Sequence, residues 1–266
     1  MSAREHYPPG APCWVDVLAD DPAAARAFYA GVFGWEFAGP GAMPDGGEYH
    51  VARLGEADVA GVGCAPDDAG AVPWTTYVRV ASLEETTAHA VAAGARVIAE
   101  PFDALPAGRA AAVADPAGGV IGLWEPAERA GAARVNEPSA WAMSVLQPSD
   151  APAATAFYEA VFGWQAWTPP GDASGIVLWR LPGYFGGEPS QPVPRDVVAA
   201  MLPASDDAPA GWSVDFWIAD ADAAATAAAE LGGSVLGEPH DAPPFRRAVL
   251  ADPSGAAFTV SQLVAY

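Results

Sequence analysis

The stretch FYAGVFGW at residues 28–35 recurs as FYEAVFGW at residues 157–164, and this repetition is the strongest indication of the fold. A second pair of landmarks follows in the same order, because ADPAG at residues 114–118 returns as ADPSG at residues 251–255. Landmarks that recur in the same order indicate that one structural unit has been duplicated. The chain therefore contains two copies of one unit, each long enough to bury a core of its own.

The spacing between the copies shows where they differ. The first pair of landmarks lies 129 residues apart (28 to 157) and the second 137 residues apart (114 to 251), so about eight residues entered the second copy between them. Trp74 and Trp212 already have the longer spacing, which places the insertion in the Gly/Pro-rich stretch 182–194. We expect that stretch to form a loop over a site.

A chain of 266 residues with an internal duplication predicts two domains of ordinary size. We predict a first domain over residues 1–127 and a second over residues 138–266, joined by a linker over residues 128–137. The two cysteines, Cys13 and Cys64, are too few for a disulfide framework and match no metal-binding spacing, so buried thiols are expected.

Charge and hydropathy exclude two classes of partner. The formal net charge is −21, which repels phosphate backbones and anionic lipid surfaces. No apolar run approaches the roughly 20 residues that span a bilayer, and the N-terminal segment has no signal-peptide pattern. We expect a cytoplasmic monomer or homodimer that binds neither nucleic acid nor membranes. The acidic charge either favours a neutral or cationic small molecule or serves solubility alone.

Each copy has the pattern of a strand, a helix and further strands, twice over. In the first copy, a strand at residues 12–18 precedes a helix that Asp21 caps and Gly34 ends, and two more strands follow. A second series starts at Trp74, with a capping box at residues 82–85. The predicted fold class is α+β, with four βαβββ-type units that form curled mixed sheets enclosing cavities.

The order of these landmarks resembles a known family. A strand, Asp-Pro, Phe-Tyr and a Phe-Gly-Trp turn, with a late Asp-Pro-x-Gly before the final strand, are similar to the vicinal oxygen chelate superfamily of glyoxalase I, extradiol dioxygenases and bleomycin-resistance proteins. The resemblance extends from about Pro12 to Val264 and implies two tandem glyoxalase-like domains. It implies many reactions on one scaffold rather than a single activity.

The resemblance also implies where a divalent metal is usually held, through side chains on the first, fifth and final strands of each copy. Hard cations need carboxylate, carbonyl or imidazole ligands. As possible ligands the six positions offer only hydroxyl groups of two types, threonine and serine, and they are Trp14, Met143, Thr75, Ser213, Gly122 and Thr259. We therefore predict neither a metal nor another cofactor.

Strand alternation places two carboxylates on the inner faces of the sheets, because residues two apart share a face. Asp16 lies two residues from Trp14, and Asp215 two residues from the fifth-strand position of the second copy. Burial on an apolar face should raise the pKa of such a carboxyl. We predict Asp16 and His50 as an acid–base pair, with the parity of His50 open by one residue. The alternatives are structural: backbone hydrogen bonds for Asp16, and an ion pair with Arg79 for Asp215.

Aromatic rings supply most of the predicted substrate-binding set, because flat rings suit stacking on a planar ligand. Core packing is the equal alternative for these rings. Arg246 and Arg247 are expected to pair with surface acids rather than with a ligand. The full substrate-binding set, which includes the loop residue His240, is Trp14, Trp74, Tyr77, Trp124, Met143, Trp179, Asp215, Trp217 and His240.

Three functions stay open. The pattern favours a metal-independent enzyme that dehydrates, cyclises or isomerises an aromatic or polyketide-like molecule, and the Ala/Gly/Pro-rich composition resembles actinobacterial proteins of secondary metabolism. The second is a drug-sequestering protein of the bleomycin-resistance type, for which acidic charge would steer a cationic drug. The third is a glyoxalase or dioxygenase with a non-standard metal site. The expected ligand is an aromatic or polycyclic small molecule.

Overall fold

The structure, a computed structural model, describes residues 6–43, 46–66, 72–171, 174–186, 193–203 and 210–264. The elements of the first domain, in chain order, are β1 (Pro12–Ala19), α1 (Pro22–Phe33), β2 (Glu36–Ala42), β3 (Glu48–Leu54), β4 (Ala57–Cys64), β5 (Thr75–Arg79), α2 (Leu83–Ala92), β6 (Arg96–Ala104), β7 (Gly108–Ala114) and β8 (Val120–Pro126).

The second domain repeats this order. Its elements are β9 (Trp141–Gln147), α3 (Ala151–Phe162), β10 (Gln165–Trp167), β11 (Val177–Arg180), β12 (Val197–Met201), β13 (Gly211–Trp217), α4 (Ala221–Glu230), β14 (Ser234–Ala242), β15 (Phe245–Ala251) and β16 (Ala257–Leu263). The exact residues at which the domains and their linker were predicted to begin and end stay a prediction.

In the described residues, each domain forms one mixed eight-stranded sheet. The strand orders are β2-β3-β4-β1-β5-β8-β7-β6 and β10-β11-β12-β9-β13-β16-β15-β14. Two βαβββ units therefore lie side by side in each sheet, joined where β1 meets β5 and where β9 meets β13 in antiparallel pairs. The predicted fold class is confirmed.

Two strands escaped prediction from the sequence, namely β2 and β10. The pairing of β2 with β3 shifts register around Gly39 and Pro40, and most of β2 is solvent-exposed. An exposed edge strand with an irregular register lacks the alternation of apolar and polar residues by which strands are recognised. Its short counterpart β10 is three residues long and lacks it for the same reason.

The repeated octapeptide ends a helix in the same way in each copy. The helix α1 begins after Asp21, whose carboxylate accepts hydrogen bonds from the N–H groups of Ala23 and Ala24. It ends at Gly34, which has a φ of 71°, and Gly163 ends α3 with a φ of 72°. Only glycine adopts this left-handed conformation without strain, so the repeated Phe-Gly-Trp marks a helix end.

The two domains share one hydrophobic core. Phe28 and Phe33 of α1 pack against Phe258 and Phe216 of the second domain, with ring centroids 6.1 and 5.0 Å apart. The helices also pair across the interface, α1 with α4 and α2 with α3. The helices that contain the two octapeptides therefore both pack against the other domain.

Reciprocal hydrogen bonds connect the duplicated landmarks across this interface. The hydroxyl of Tyr29 donates to Oδ2 of Asp252 at 3.0 Å, and the hydroxyl of Tyr158 donates to Oδ2 of Asp115 at 2.6 Å. Each tyrosine comes from the Phe-Tyr of one copy and each aspartate from the Asp-Pro-x-Gly of the other. The landmarks that reveal the duplication therefore join the two copies. No helix among the described residues has the length and hydropathy to cross a membrane.

Candidate functional site

The strand register identifies which residues of each sheet lie side by side at its centre. In the first domain, Tyr77 on β5 pairs with Trp14 on β1 and with Gly122 on β8. In the second domain, Asp215 on β13 pairs in the same way with Met143 on β9 and with Thr259 on β16. The fifth-strand positions predicted from the sequence, Thr75 and Ser213, lie two residues from this level. The register thus places Tyr77 and Asp215 between the neighbouring strands.

Tyrosine rings fill the hollow of the first domain. The hydroxyl of Tyr49 donates to Oδ2 of Asp16 at 2.9 Å and accepts a hydrogen bond from Nε1 of Trp14 at 2.8 Å. Tyr77 is a second hydrogen-bond partner of Asp16. The structure therefore brings together three of the predicted site residues, Trp14, Asp16 and Tyr77. Among the described residues, their polar groups are hydrogen-bonded within this cluster and do not surround an open cavity.

Two glycines allow these rings to lie on the sheet. A Cβ at Gly61 would collide with the hydroxyl of Tyr49, and a Cβ at Gly122 would collide with the ring of Tyr77. Trp124, another predicted binding residue, donates from Nε1 to the carbonyl of Arg129, whose guanidinium lies over the ring of Trp14 at 5.6 Å. The aromatic residues predicted to bind a ligand in this domain are thus packed against other residues of the protein.

The predicted pair of Asp16 and His50 is separated by strand parity. Tyr49 is the β3 residue that reaches Asp16, so the next residue, His50, points to the other face of the sheet. Its Nε2 lies 3.3 Å from Oε2 of Glu48, and its side chain is buried. The parity left open by the sequence is resolved in favour of Tyr49, and a catalytic role for either residue stays a prediction.

Burial raises the pKa of Asp16 to about 7, against the hydrogen bonds from Tyr49 and Tyr77, which lower it. The carboxyl lies among aromatic rings, and the loss of its hydration disfavours the charged form. The sequence-based expectation of a raised pKa for this group therefore agrees with its surroundings.

Replacing Asp16 by asparagine, which resembles the protonated carboxyl, is expected to remove a pH dependence of stability. The folded state binds this proton up to a pH of about 7, whereas an unfolded aspartate releases it near its ordinary pKa of 3.8. The stability that the proton contributes is complete below the unfolded pKa and is lost as the pH rises through about 7. The native protein should therefore lose roughly 2 kcal/mol of unfolding free energy relative to Asp16→Asn between about pH 5 and pH 7. Urea unfolding at a series of pH values measures this difference, and parallel curves would contradict it.

The second domain has an open cavity of about 180 Å³ at the corresponding face of its sheet. Three predicted residues, Met143, Asp215 and Trp217, lie on its wall. The remaining walls are mostly apolar, and they include Trp141, Ile176, Leu178, Val197, Ala200 and Phe245.

Smaller side chains explain why this hollow is open and the other is filled. By the spacing of the copies, Met143 stands where the first domain has Trp14, and Asp215 stands where it has Tyr77. The strand pairing likewise places Ile176 at the position of Tyr49. Two tyrosines and one tryptophan are thus replaced by smaller groups, and the volume they release belongs to the cavity.

Asp215 lies in a hydrogen-bonded cluster at the cavity wall. Its Oδ2 accepts from Nη2 of Arg247 at 2.5 Å and from the hydroxyl of Ser261 at 2.8 Å. Arg247 also donates from Nε to the hydroxyl of Ser261 at 2.9 Å. We call Asp215, Arg247 and Ser261 the Asp215 cluster.

One oxygen of this carboxylate accepts no hydrogen bond from the part of the chain that the structure describes. Oδ1 of Asp215 is buried and has no hydrogen-bond partner among the described residues. Burial raises the pKa of Asp215, whereas the charge of Arg247 and the hydrogen bonds from Ser261 and Arg247 lower it. Contact with a guanidinium favours the ionised form, so the free oxygen is an acceptor.

The partner of Asp215 differs from the one expected. Arg247 takes the place proposed for Arg79, because β15 and not β5 carries the arginine that faces Asp215. Arg246 does pair with surface acids, at 2.6 Å from Asp222 and 2.8 Å from Asp241. The two neighbouring arginines thus serve opposite faces of one strand.

Three predicted binding residues lie away from both hollows. Trp74 donates from Nε1 to the hydroxyl of Tyr29, and Trp179 is fully buried against Tyr158 and Trp164. Both rings belong to the hydrophobic core. His240 is exposed on β14, where its Nδ1 lies 3.0 Å from the carbonyl of Glu238. Alternation alone cannot tell the core face of a strand from its cavity face.

The sequence missed two segments that complete the cavity. Tyr7 comes from the N-terminal segment, and Val135 and Asn136 from the predicted linker. The Gly/Pro-rich insertion, expected to lie over a site, contributes Tyr184 and Pro194. The insertion could be predicted because the landmarks of the two copies are unevenly spaced. Nothing in the sequence around Tyr7 indicates that it contributes to the cavity.

The side chains at the expected metal positions do not fit a divalent cation. Among residues 6–43, 46–66, 72–171, 174–186, 193–203 and 210–264, no group of three or more His, Cys, Asp or Glu side chains could hold one. At the centre of the second sheet, Met143 and Thr259 flank a single carboxylate that Arg247 already neutralises. A ligand set of this kind lacks the oxygen and imidazole donors that such metals need.

Comparison with protein families gives a match for each domain. Residues 13–123 match the glyoxalase/bleomycin resistance protein/dioxygenase superfamily, and residues 143–261 match a glyoxalase-like domain. The chain is 35% identical to CFP32 of Mycobacterium tuberculosis over 98% of its own length and 97% of that protein's. It is 33% identical to the anthracycline biosynthesis protein DnrV of Streptomyces peucetius over 97% of this chain and 94% of DnrV.

Solved structures share the fold at lower identity. A Mn(II)-bound glyoxalase from Novosphingobium aromaticivorans superposes with a TM-score of 0.62 at 19% identity, covering 95% of this chain and 82% of the glyoxalase. The 2,3-dioxygenase LapB from Pseudomonas sp. KL28 has the same TM-score at 15% identity, covering 96% of this chain and 92% of LapB. At these identities the likeness concerns the fold alone.

Proposed function

The chain belongs to the glyoxalase/bleomycin resistance protein/dioxygenase superfamily, and from this we propose that its second domain is a metal-independent enzyme site for a small aromatic or polyketide-like molecule. In this proposal the cavity holds the ligand and Asp215 moves its protons. The reaction class is a dehydration, cyclisation or isomerisation.

The observation that carries the proposal is a mostly apolar cavity with a buried carboxylate on its wall. Pockets for drug-sized molecules measure about 300–1,000 Å³, so a cavity of about 180 Å³ suits a ligand of one or two rings, or one end of a longer molecule. Trp141, Trp217 and Phe245 offer aromatic faces to such rings.

Acid–base chemistry follows from the state of Asp215. Arg247 and Ser261 hold one oxygen of the carboxylate, and burial increases its affinity for a proton. In an isomerisation, Asp215 would take a proton from one atom of the ligand and return it to another. In a dehydration, the proton would be returned to the departing hydroxyl group, which leaves as water. Groups of this kind typically contribute 10²–10⁴-fold to a rate.

Two further observations support this assignment. The likeness to DnrV, a protein named for anthracycline biosynthesis, supports a ligand from the aromatic polyketides. The side chains at the expected metal positions are unsuited to a cation, which supports chemistry by protein groups. The first-domain pair of Asp16 and His50 is the weaker candidate because Tyr49 and Tyr77 fill the space beside Asp16.

Replacing Met143 by tryptophan tests the location of the site, because it introduces the side chain that stands at this position in the first domain. We expect the indole to fill the cavity and to weaken the binding of 2-naphthol, used as a probe, by at least about tenfold. Calorimetric titration measures the affinity. The control is Leu236→Trp, which adds the same ring to an exposed position on β14. Equal affinity in the native protein and Met143→Trp would contradict the assignment.

The enzymatic part of the proposal needs its own readout. Phenols and 1,3-diketones are incubated with the protein in heavy water, and mass spectrometry follows deuterium uptake and changes of mass. We expect at least one class of compound to exchange or react faster with the native protein than without it. Tight binding with every ligand recovered unchanged would instead support the second candidate.

That second candidate is a protein that sequesters a small molecule. The net charge of −21 favours it for cationic ligands, since an acidic surface increases their rate of encounter. A cytoplasmic location and a monomeric or homodimeric state stay predictions under either function.

A further inference from the structure

The Asp215 cluster uses only one of the two carboxylate oxygens. Oδ2 receives the hydrogen bonds of both Arg247 and Ser261, whereas buried Oδ1 receives none from the described residues. Buried polar atoms in folded proteins nearly always have hydrogen-bond partners, so a buried oxygen without one on a residue of the cavity wall requires an explanation. A hydrogen-bond donor that arrives with the ligand would supply it, once a rotation of the Asp215 side chain turns Oδ1, which has almost no exposed surface, towards the cavity.

The ionic state of the cluster restricts this donor. An ionised carboxylate accepts hydrogen bonds and cannot donate them. An ether or ketone oxygen placed against Oδ1 would bring two acceptors together. A hydroxyl or N–H group would complete the set of hydrogen bonds.

The net charge of the cluster restricts the donor further. Arg247 and Asp215 form an ion pair whose side chains are 31% and 8% exposed, so their charges cancel at the cavity wall. Because the pair carries no net charge, it gives a charged ligand no net attraction to offset the hydration that the ligand loses in the cavity. A neutral donor avoids that loss.

The other walls select the rest of the molecule. Met143, Trp217 and Phe245 lie along the same cavity as Asp215, and the rings of Trp217 and Phe245 are 6.4 Å apart. Flat, apolar groups pack against such walls, and a charged or highly hydroxylated molecule would lose hydration there without compensation. The geometry favours a ring that carries a hydroxyl group.

We propose that the ligand of this cavity is a neutral phenol or enol whose hydroxyl group donates a hydrogen bond to Oδ1 of Asp215. This inference rests on the proposed function for the location of the site and adds the chemical class of the ligand and the atom it contacts. The hydroxyl hydrogen is then the proton closest to the carboxylate that is proposed to move it.

The test compares 2-naphthol with 2-methoxynaphthalene, which has the same rings and no hydroxyl hydrogen. We expect the native protein to bind 2-naphthol about tenfold or more tightly, as for a hydrogen bond to a charged group. Equal affinities, or tighter binding of the methyl ether, would overturn the inference. This comparison uses the native protein and does not depend on any variant.

Asp215→Asn sharpens the test. Arg247 and Ser261 are both donors, so they retain the amide oxygen and leave the NH₂ group at the position of Oδ1. The cavity then offers a donor in place of an acceptor, and we expect the preference for 2-naphthol to be lost or reversed. The control, Asp222→Asn, changes an exposed carboxylate that pairs with Arg246 and should keep the native preference. An unchanged preference in Asp215→Asn would overturn the inference.

The outcomes separate the two proposals. If both probes bind equally well and Met143→Trp abolishes both, the cavity remains the site and only the donor assignment fails. If neither probe binds the native protein, the location of the site and the donor assignment fail together.

Discussion

Replacing Asp215 by asparagine is expected to lower the turnover of the proposed enzyme by about 10²-fold or more, with a smaller effect on ligand affinity. The amide cannot accept and return a proton, although it fills the same space beside Arg247 and Ser261. Turnover is measured with the compound that reacts fastest in the heavy-water assay, and affinity by calorimetric titration. The separation of the two effects distinguishes loss of a proton acceptor from loss of a binding contact.

Two further variants complete this experiment. Asp222→Asn changes a carboxylate on the surface and should leave turnover unchanged, because Asp222 contacts Arg246 and not the cavity. Asp16→Asn should also leave turnover unchanged, because Tyr49 and Tyr77 occupy the hollow of the first domain. Normal turnover in Asp215→Asn together with a large loss in Asp16→Asn would place the chemistry in the first domain and contradict the role proposed for Asp215.

Replacing Asp252 by alanine is expected to destabilise the whole chain by about 3 kcal/mol or more. Oδ1 of Asp252 accepts from the N–H groups of Ser254 and Ala256, and Oδ2 accepts from the hydroxyl of Tyr29 in the other domain. The alanine leaves all three donors without their acceptor in a buried site. Asp115→Ala should have a similar effect, since it breaks the reciprocal hydrogen bond with Tyr158.

Urea unfolding monitored by tryptophan fluorescence and by circular dichroism measures this loss. Because the two domains share a core, we expect one transition by both methods, shifted to lower urea as a whole. The control is Asp241→Ala, which removes an exposed partner of Arg246 and should cost less than about 1 kcal/mol. Two separate transitions, with only one shifted in Asp252→Ala, would show that the domains unfold independently and would contradict the shared core.

The parts of the fold that could be predicted are those with local causes. Asp21 and Gly34 mark the ends of α1 because an N-cap and a left-handed glycine are decided by the residues next to them. The duplication then transfers each such assignment to the second copy. The order of the strands and the family resemblance follow from the same landmarks.

The role of the landmarks between the domains could not be predicted. Tyr29 and Asp252 are 223 residues apart, and no periodic pattern indicates their contact. A tyrosine that recurs in both copies suits a core position or a site equally well. The packing of the two copies against each other decides in favour of the core, and Trp74 lies there for the same reason, in contact with Phe216 of the second domain.

The candidate site was predicted in part. Alternation along β13 places Asp215 and Trp217 on one face without knowledge of neighbouring strands, and the pairing of β13 with β9 places Met143 beside Asp215. Whether side chains fill the concave face of each sheet depends instead on β3 and β11. The register of these strands decides which of their residues point towards that face. A shift of one residue in parity decides whether His50 or Tyr49 faces Asp16. Tyr49 faces it, so its ring fills the space in which an acid–base pair of Asp16 and His50 was predicted.

The sequence contains an indication of the partner of Asp215, which the alternation of side chains along a strand reveals. Adjacent residues on a strand point to opposite faces, so Arg246 and Arg247 cannot both pair with the surface. One of them must face the same side as the cavity, and the structure shows that it is Arg247. The identity of its partner still required the order of β13, β16 and β15 in the sheet.

A crystal structure of the protein with 2-naphthol bound would show where the ligand lies and which atom it contacts. We expect the ring system in the cavity of the second domain, between Met143 and Trp217, with its hydroxyl group within hydrogen-bond distance of Oδ1 of Asp215. A probe bound beside Asp16 in the first domain, with the second cavity empty, would contradict this expectation.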